Sequence, residues 1–271
     1  MLEHKFRVVV CGFLLMLGSS ILMAAQPAEE RPLIFVTQDF PPFNYLEEGQ
    51  VKGAVVELID LVCKDMQRLC EHQLLPWNRA QSRIRQGVAD GIYTIGRNPE
   101  REQWLLFSPA ILTTEYGFFV HQNNPIQINA PEDIRDYQVG VYGPSNSSRS
   151  LQVFRGDKVV GGNTVKDQRQ PIFKIYMTPN DEAGFRQLPI GRIDAVYSNR
   201  DAGWAMIRKL GLSDIRYSSS QKSLDYYIGF SKQFADRDAV NEFQQSYLKL
   251  LRQGAVAQVL APYKLQPKLS D

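Results

Sequence analysis

Apolar and polar positions follow two rhythms along this chain, and their order predicts an architecture. The runs PLIFVTQ, HQLLPW and DGIYTI have the length and the apolar, β-branched and aromatic content of buried strands. Between the first two, AVVELIDLVCKDM sets Val55, Val56, Ile59, Val62 and Met66 at helical spacing. NRAQSRIRQGVA predicts a second helix closed by Gly87. DFPPFNYLEEGQVKG, broken by Pro41, Pro42 and Gly49, reads as a loop. Strand, loop, helix, strand, helix, strand is the order of an α/β domain with a largely parallel sheet.

The rest of the chain continues in the same terms. TEYGFFVHQNN predicts a strand, and PEDIRDYQVGVYG a short helix and a strand. SNSSRSLQVFRG opens on three capping-type residues, the start of a helix. TPNDEAGFRQLPIGRIDAVYSN repeats the earlier grammar, so GVADGIYTIG and GRIDAVYSN are two copies of one device: helix, Gly, Asp, apolar strand, polar loop. LDYYIGFSK predicts a last strand and DAVNEFQQSYLKLLRQG a long helix ending at Gly254. No linker rich in Pro, Ser or Gly divides the two halves, so strands are expected to cross between them and act as hinges. Ligands of open α/β sheets lie beyond the carboxyl ends of the strands, which places a cleft between the halves.

The N-terminus follows a different pattern. Lys5 and Arg7 precede the apolar run VVVCGFLLMLGSSILM and the small residues of AAQPAEE. That is the layout of a secretory signal peptide cleaved near Ala25. The alternative, a membrane anchor, is weakened by the shortness of the run and by Gly12, Gly18, Ser19 and Ser20. Export makes the mature chain's two cysteines, in CKDMQRLC, a disulfide candidate. On an unbroken helix Cys63 and Cys70 would stand ~10 Å apart, too far for a bond that needs less than about 7 Å. A bonded pair therefore requires the helix to stop near Gln67–Leu69; otherwise both remain free thiols.

Composition mainly excludes. The 271 residues are 44% hydrophobic and 22% charged, with a formal net charge of +2. This is an ordinary globular balance without the basic footprint of a nucleic-acid or anionic-membrane binder. No H-E-x-x-H, G-x-S-x-G or P-loop run is present, so neither a metal, a cofactor nor a catalytic triad is expected. The Asn146 sequon, NSS, is too short a pattern to carry weight. Candidate binding groups are plainer. Thr94, Arg97 and Arg101 follow a buried strand in DGIYTIGRNPERE, where a guanidinium fork suits a carboxylate. Ser145, Asn146 and Ser147 open a helix whose free N–H groups favour an anion. Phe40, Phe43, Tyr45 and Trp77 lie near loops and suit the wall of a small-molecule cleft. Each also has an ordinary structural role, Arg97 as a surface charge above all.

Five stretches in order resemble the bacterial family 3 extracellular solute-binding proteins, the polar amino-acid receptors of ABC importers. They are PPFNYLEEGQVKGAVVELIDLV, VADGIYTIGRNPERE, EDIRDYQVGVYGPSNSS, GRIDAVYSN and LRQGAVAQVLAPYKL. The resemblance spans nearly all the mature chain and implies a type II periplasmic-binding-protein-like α/β fold of two lobes, two hinge strands and a ligand cleft between lobes. Residues 26–112 and 221–271 would form the first lobe and 113–220, with hinge segments, the second. The Cys63 and Cys70 spacing is similar to the disulfide of the histidine- and lysine/arginine/ornithine-binding members. By the same resemblance Arg101 grips a ligand carboxylate, Ser145 and Asn146 add donors to it, and Phe40 covers the ligand side chain.

The implied protein is a monomeric periplasmic receptor for a small carboxylate-bearing ligand, serving an inner-membrane ABC permease. The alternatives on this fold are a protein that signals to a membrane sensor and a cyclohexadienyl-dehydratase-like enzyme, for which Glu57 or Glu115 would have to supply a general acid. One departure bears on the ligand. Where the family usually places an aspartate that receives the α-ammonium, this chain has Asn199; Asp201, two residues on, is the candidate to replace it. Gaining Arg97 and losing that aspartate predicts a more positive cleft, hence a ligand more anionic or less cationic than lysine or histidine. It also predicts that Asn199→Asp improves binding of ordinary α-amino acids.

Overall fold

The computed structural model describes residues 31–160, 163–165, 172–234 and 236–269; the expected signal peptide lies outside them. The first half runs β1 (Leu33–Thr37), β2 (Tyr45–Glu47), β3 (Gln50–Lys52), α1 (Ala54–Asp65), β4 (Cys70–Leu74), α2 (Trp77–Arg85) and β5 (Gly91–Ile95). It continues with α3 (Pro99–Glu102), β6 (Leu105–Phe107) and β7 (Leu112–His121). The second half runs β8 (Gln138–Tyr142), α4 (Asn146–Arg155), β9 (Lys158–Val160), β10 (Asn163–Val165), β11 (Lys174–Thr178), α5 (Asp181–Gln187), β12 (Ala195–Asn199) and α6 (Arg200–Leu210). Last come β13 (Ile215–Ser231), α7 (Arg237–Arg252) and α8 (Ala255–Leu260).

One nine-stranded sheet, in the order β11-β8-β12-β7-β13-β5-β1-β4 with β6 also on β13, runs through both lobes. β4, β1 and β5 form one parallel block and β11, β8 and β12 another. The antiparallel pair β7 and β13 joins them. This is the two-lobed α/β fold of periplasmic binding proteins, with β7 and β13 as its hinge strands.

The inner strands β1, β5, β8 and β12 are buried on both faces, which is why they read as continuous apolar runs, while the edge strands β4 and β11 are more exposed and more polar. Successive residues of a strand point oppositely. Phe35 thus packs in one cluster with Val55, Ile59 and Phe243 from α1 and α7, and Val36 in another with Ala80 and Ile84 of α2. In the other lobe Phe118 joins Leu151 of α4, while Phe119 joins Phe185 of α5 and Met206 of α6.

Two segments depart from the sequence reading. The loop after Phe43 contains the hairpin β2–β3, turned by Glu48 and Gly49 at φ 50° and 78°, the positive pair that tight hairpins favour. And β13 begins nine residues before LDYYIGFSK, because its polar part, Ser218–Ser223, is held by pairing with β7 and not by a core. At the cysteines α1 stops at Asp65 and Gln67 takes φ 55°. That brings Cys63 and Cys70 to a Cα separation of 6.3 Å in a disulfide linking the helix end to β4. Among the described residues no helix is long and apolar enough to cross a membrane.

Candidate functional site

Between the lobes, beyond the carboxyl ends of the parallel strands, lies a chamber of about 60 Å³. Gln38 and Phe40 after β1, Thr94 and Gly96 at β5, Tyr142 and Ser145 after β8, and Ser198 and Asn199 of β12 line it. Its floor is built on the hinge strands by Tyr116 of β7 and Tyr226 of β13. The chamber opens past Phe40, Trp77 and Asp181 into a groove of about 560 Å³ that reaches Met206. The lobes approach closely at its rim: a Cβ on Gly96 would stand 3.3 Å from Asn146 Nδ2.

The first-lobe wall carries a cation. Asn98 caps α3 by accepting from the Arg101 N–H, at 2.9 Å. Arg101 Nη1 donates to the Gly96 carbonyl at 2.7 Å, and the guanidinium lies 5.6 Å from the centroid of the Trp77 ring. Arg101 is only 7% exposed, and burial pulls its pKa down. Among the described residues no carboxylate pairs with it, so a buried charge faces the chamber without a counter-ion. Such a group is costly unless something else supplies the anion.

Beside it Thr94 bulges from the ladder, since Tyr93 and Ile95 pair with the successive residues Ile228 and Tyr227. Its φ of 56° is rare for a β-branched residue. The hydroxyl donates to Asn44 Oδ1, which fixes the strained backbone at the chamber wall.

The second-lobe wall faces it with donors and one carboxylate. Ser145 caps α4: its Oγ accepts from the Ser148 N–H and donates to the Tyr142 carbonyl at 2.6 Å. Asn146 and Ser147 then present first-turn N–H groups that have no acceptor within the helix. Asn199 lines the chamber but its polar atoms are engaged elsewhere. Its Oδ1 caps α6 by accepting from Asp201 N and Ala202 N at 2.9 and 3.0 Å. Its Nδ2 donates to Thr114 Oγ1 at 2.9 Å and to the Tyr226 hydroxyl at 3.3 Å. The acceptor expected to meet an ammonium is therefore occupied. Asp201 does not replace it, because its carboxylate accepts from Thr114 at 2.6 Å and lies near Arg200, away from the chamber.

The carboxylate that does line the chamber is Asp181, the first residue of α5. Ser198 Oγ donates to its Oδ1 at 2.8 Å. Burial raises its pKa and the Ser198 bond opposes the rise. Tyr116 hydrogen-bonds Tyr226, and its pKa is pushed up to about 12, first by burial, with Asp181 adding to the rise and Arg101 opposing it. The phenol thus lies within electrostatic reach of both ionic groups.

Of the candidates read from sequence, Phe40, Trp77, Thr94, Arg101, Ser145, Asn146 and Asn199 come together around this chamber. Arg97 does not: its Nε donates to Glu102 at 2.5 Å on the surface, and with Arg149 and Asp225 it lines a neighbouring groove that shares Gly96, Tyr116 and Asn146 with the chamber. Phe43 is core, fully buried between Phe40 and Tyr226. The positive bias expected from Arg97 and Asn199 is not what the chamber lining shows, since Arg97 pairs with Glu102 outside it and Asp181 places a carboxyl group inside.

Glu57 and Glu115 also lie outside the chamber, bonded to Tyr263 and to Arg200 and Ser220. Asp181, Tyr116 and Tyr226 escaped the sequence reading. An acidic residue opening a helix is ordinary, and the tyrosines sit in strands with no periodic mark of a cleft. Among the described residues no cluster of three or more His, Cys, Asp or Glu side chains is placed to hold a metal ion.

Comparison with known proteins bears on this geometry. Residues 33–265 match the family model described as bacterial extracellular solute-binding proteins, family 3. A curated relative, the probable amino-acid-binding protein YxeM of Bacillus subtilis (strain 168), is 24% identical over 172 residues, 63% of this chain and 60% of that protein. The match therefore spans less than two thirds of that relative's length. Among solved structures, a histidine kinase sensor domain with similarity to periplasmic binding proteins superposes with a TM-score of 0.74 at 19% identity, covering 89% of this chain and 99% of that one. An ancestral arginine-binding protein bound to arginine gives 0.71 at 19% identity, over 87% and 99%. At such identities the superpositions speak for the fold.

Proposed function

The chain belongs to the bacterial extracellular solute-binding proteins of family 3, and we propose that it captures an amino acid or related carboxylate in the periplasm and delivers it to an inner-membrane ABC importer. The observation that carries this reading is Arg101, a buried guanidinium without a counter-ion among the described residues, facing the first turn of α4 across the chamber. A carboxylate held there would accept from the guanidinium on one lobe and from N–H groups on the other. Contacts that exist only when both lobes engage are what drives hinge closure. The chamber has room for roughly four or five waters, enough for the charged head of a solute whose remainder lies along Phe40 and Trp77 in the adjoining groove. The receptor acts as a monomer without a cofactor.

The test is a thermal-shift screen of mature protein refolded to strip bound solute, against amino acids, dicarboxylates and small acyl conjugates. A solute at about 100 times its Kd stabilises the fold by about 2.7 kcal/mol, roughly 5–10 °C for a chain of this length. A flat screen against all three classes overturns the reading.

The likeness to a kinase sensor domain favours one second reading, in which the liganded protein signals to a membrane sensor. Solute uptake by a strain lacking this chain separates the two: loss of uptake supports delivery, and unchanged uptake supports signalling. The dehydratase reading loses Glu57 and Glu115, which stand away from the chamber, and an assay for turnover of prephenate or arogenate tests whether Asp181, the carboxyl that does line it, acts as an acid.

A further inference from the structure

The groove beside the chamber gathers cations. It measures about 520 Å³ and is lined by Arg97 from the turn after β5, Arg149 from α4 and Lys222 from β13. The three charges thus come from the first lobe, the second lobe and a hinge strand. Arg149 and Lys222 are exposed, and among the described residues no hydrogen bond or ion pair engages either side chain. Arg149 instead adds repulsion to Arg101. Asp225, the one carboxylate among the lining residues, is already engaged: it accepts from Thr113 at 2.6 Å and stands 4.0 Å from Lys268. Glu102 engages Arg97 through Nε from outside the groove. β13 is shaped to this arrangement, since Ser220 and Lys222 pair with the successive residues Gly117 and Tyr116 and Gln221 bulges between them. Successive residues of a regular strand face oppositely, and a bulge re-aims them, so Gln221 and Lys222 both line the groove. Tyr197 donates to Gln221 Oε1 at 2.5 Å and pins the bulge.

We propose that this groove binds a free oxyanion of two or more charges, inorganic phosphate being the simplest, which bridges Arg97 to Arg149 and Lys222 and so holds the lobes together over a solute. A cleft lined by one sign of charge focuses its field on the opposite ion, and guanidinium forks suit phosphate oxygens. Gly96 and Asn146 stand at both the chamber and the groove, so a motion that parts the lobes at one parts them at the other. The anion site stands by itself; its effect on the solute rests on the solute-binding reading above.

The test is titration calorimetry of inorganic phosphate into the refolded mature chain, in low-salt amine buffer with chloride as the counter-ion. Wild-type protein is expected to bind phosphate with a Kd of about 1 mM or tighter, and added sodium chloride should weaken it by about tenfold or more through screening. The double variant Arg149→Gln, Lys222→Gln should lose about tenfold or more in phosphate affinity, and its melt in phosphate-free buffer reports whether it is folded. Saturating phosphate should tighten binding of a solute found in the thermal-shift screen by about fivefold or more, and that solute should tighten phosphate by the same factor. Solute affinity measured without phosphate reads the chamber alone.

Absence of phosphate binding overturns the inference, and so does binding that the double variant retains in full. Competition between phosphate and solute would put the anion on Arg101 in the chamber and overturns it too. Phosphate binding that the double variant loses, with solute affinity unmoved by phosphate, supports the site and overturns the bridge. Retention of the protein by phosphatidylglycerol vesicles without binding of free phosphate would move the same chemistry to a lipid headgroup and overturns the free-anion source. A flat thermal-shift screen overturns the solute-binding reading alone, since the phosphate titrations need no solute.

Discussion

The turn after β5 and the starts of α5 and α6 each offer two charged candidates, and in each the fold separates them in the same way. Arg97 and Arg101 are four residues apart, yet Arg97 is ion-paired with Glu102 at the surface while Arg101 is buried with no carboxylate paired to it among the described residues. Asp201 and Asp181 sit on neighbouring helices. Asp201 accepts from Thr114 and approaches Arg200, while Asp181 has a single serine. The residues that face the cleft are those whose charge the protein leaves incomplete. An exposed ion pair contributes little, about 0–1 kcal/mol, whereas a buried unpaired charge destabilises the ligand-free protein and strengthens whatever completes it.

The largest effect expected from this contrast is at Arg101. Arg101→Ala should weaken binding of a carboxylate solute by at least about a hundredfold, with unfolding of the ligand-free protein unchanged or shifted upward. Titration calorimetry and a melt of the same sample check both halves, and a melting loss with intact affinity would break the comparison.

Next in size is Asn199→Asp, where the structure reverses the effect expected from the sequence. Aspartate can still cap α6, but it cannot donate to Thr114 and Tyr226, and it adds a charge beside Asp201. A loss of about 1–3 kcal/mol in stability is expected, visible as a lowered denaturation midpoint, with no gain in amino-acid affinity.

Smaller is a pH effect at Asp181. Its pKa is raised in the folded protein by burial, so folding favours the protonated form. Its contribution to stability is fully present below the ordinary aspartate range and is lost as pH rises through the shifted value. Ligand-free Asp181→Asn should therefore melt above wild type at neutral pH, with the gap closing in acid; melts across a pH series report it. Smallest of all, Arg97→Ala should change affinity by less than about twofold. A larger loss would return Arg97 to the site.

Much of this was legible in the sequence because it is written in local pattern. Val55, Val56, Ile59 and Val62 mark α1 by spacing, and the repeated Gly-x-x-Asp-strand device marks β5, after which Arg101 follows on α3, and β12, which ends at Asn199. What was not legible depends on partners distant in the chain or on backbone angles. Nothing in NPERE says which arginine Glu102 will take, and nothing in DEAGFRQ says that Asp181 points at Ser198 and a chamber. The left-handed Thr94 is invisible in GIYTIG, where the run of apolar neighbours reads as uninterrupted strand. The polar stretch of β13 was missed because register against β7, and not an apolar face, makes it a strand.

That ribbon has a mechanical consequence. β7 and β13 are paired from Leu112 to His121, with register shifts only at Tyr217/Ser219 and Ser220/Lys222, so the lobes can swing by twisting a two-strand bar without releasing its hydrogen bonds. β7 is also paired with β12 over Tyr116–Val120 and β13 with β5 and β6 over Tyr227–Ser231, so Leu112–Glu115 and Ser223–Tyr226 are the two-strand part of the bar, and two-strand ribbons twist more strongly than wide sheets. Tyr116 and Tyr226 are mounted on it, which makes the shape of the pocket floor and the angle between the lobes a single mechanical coordinate.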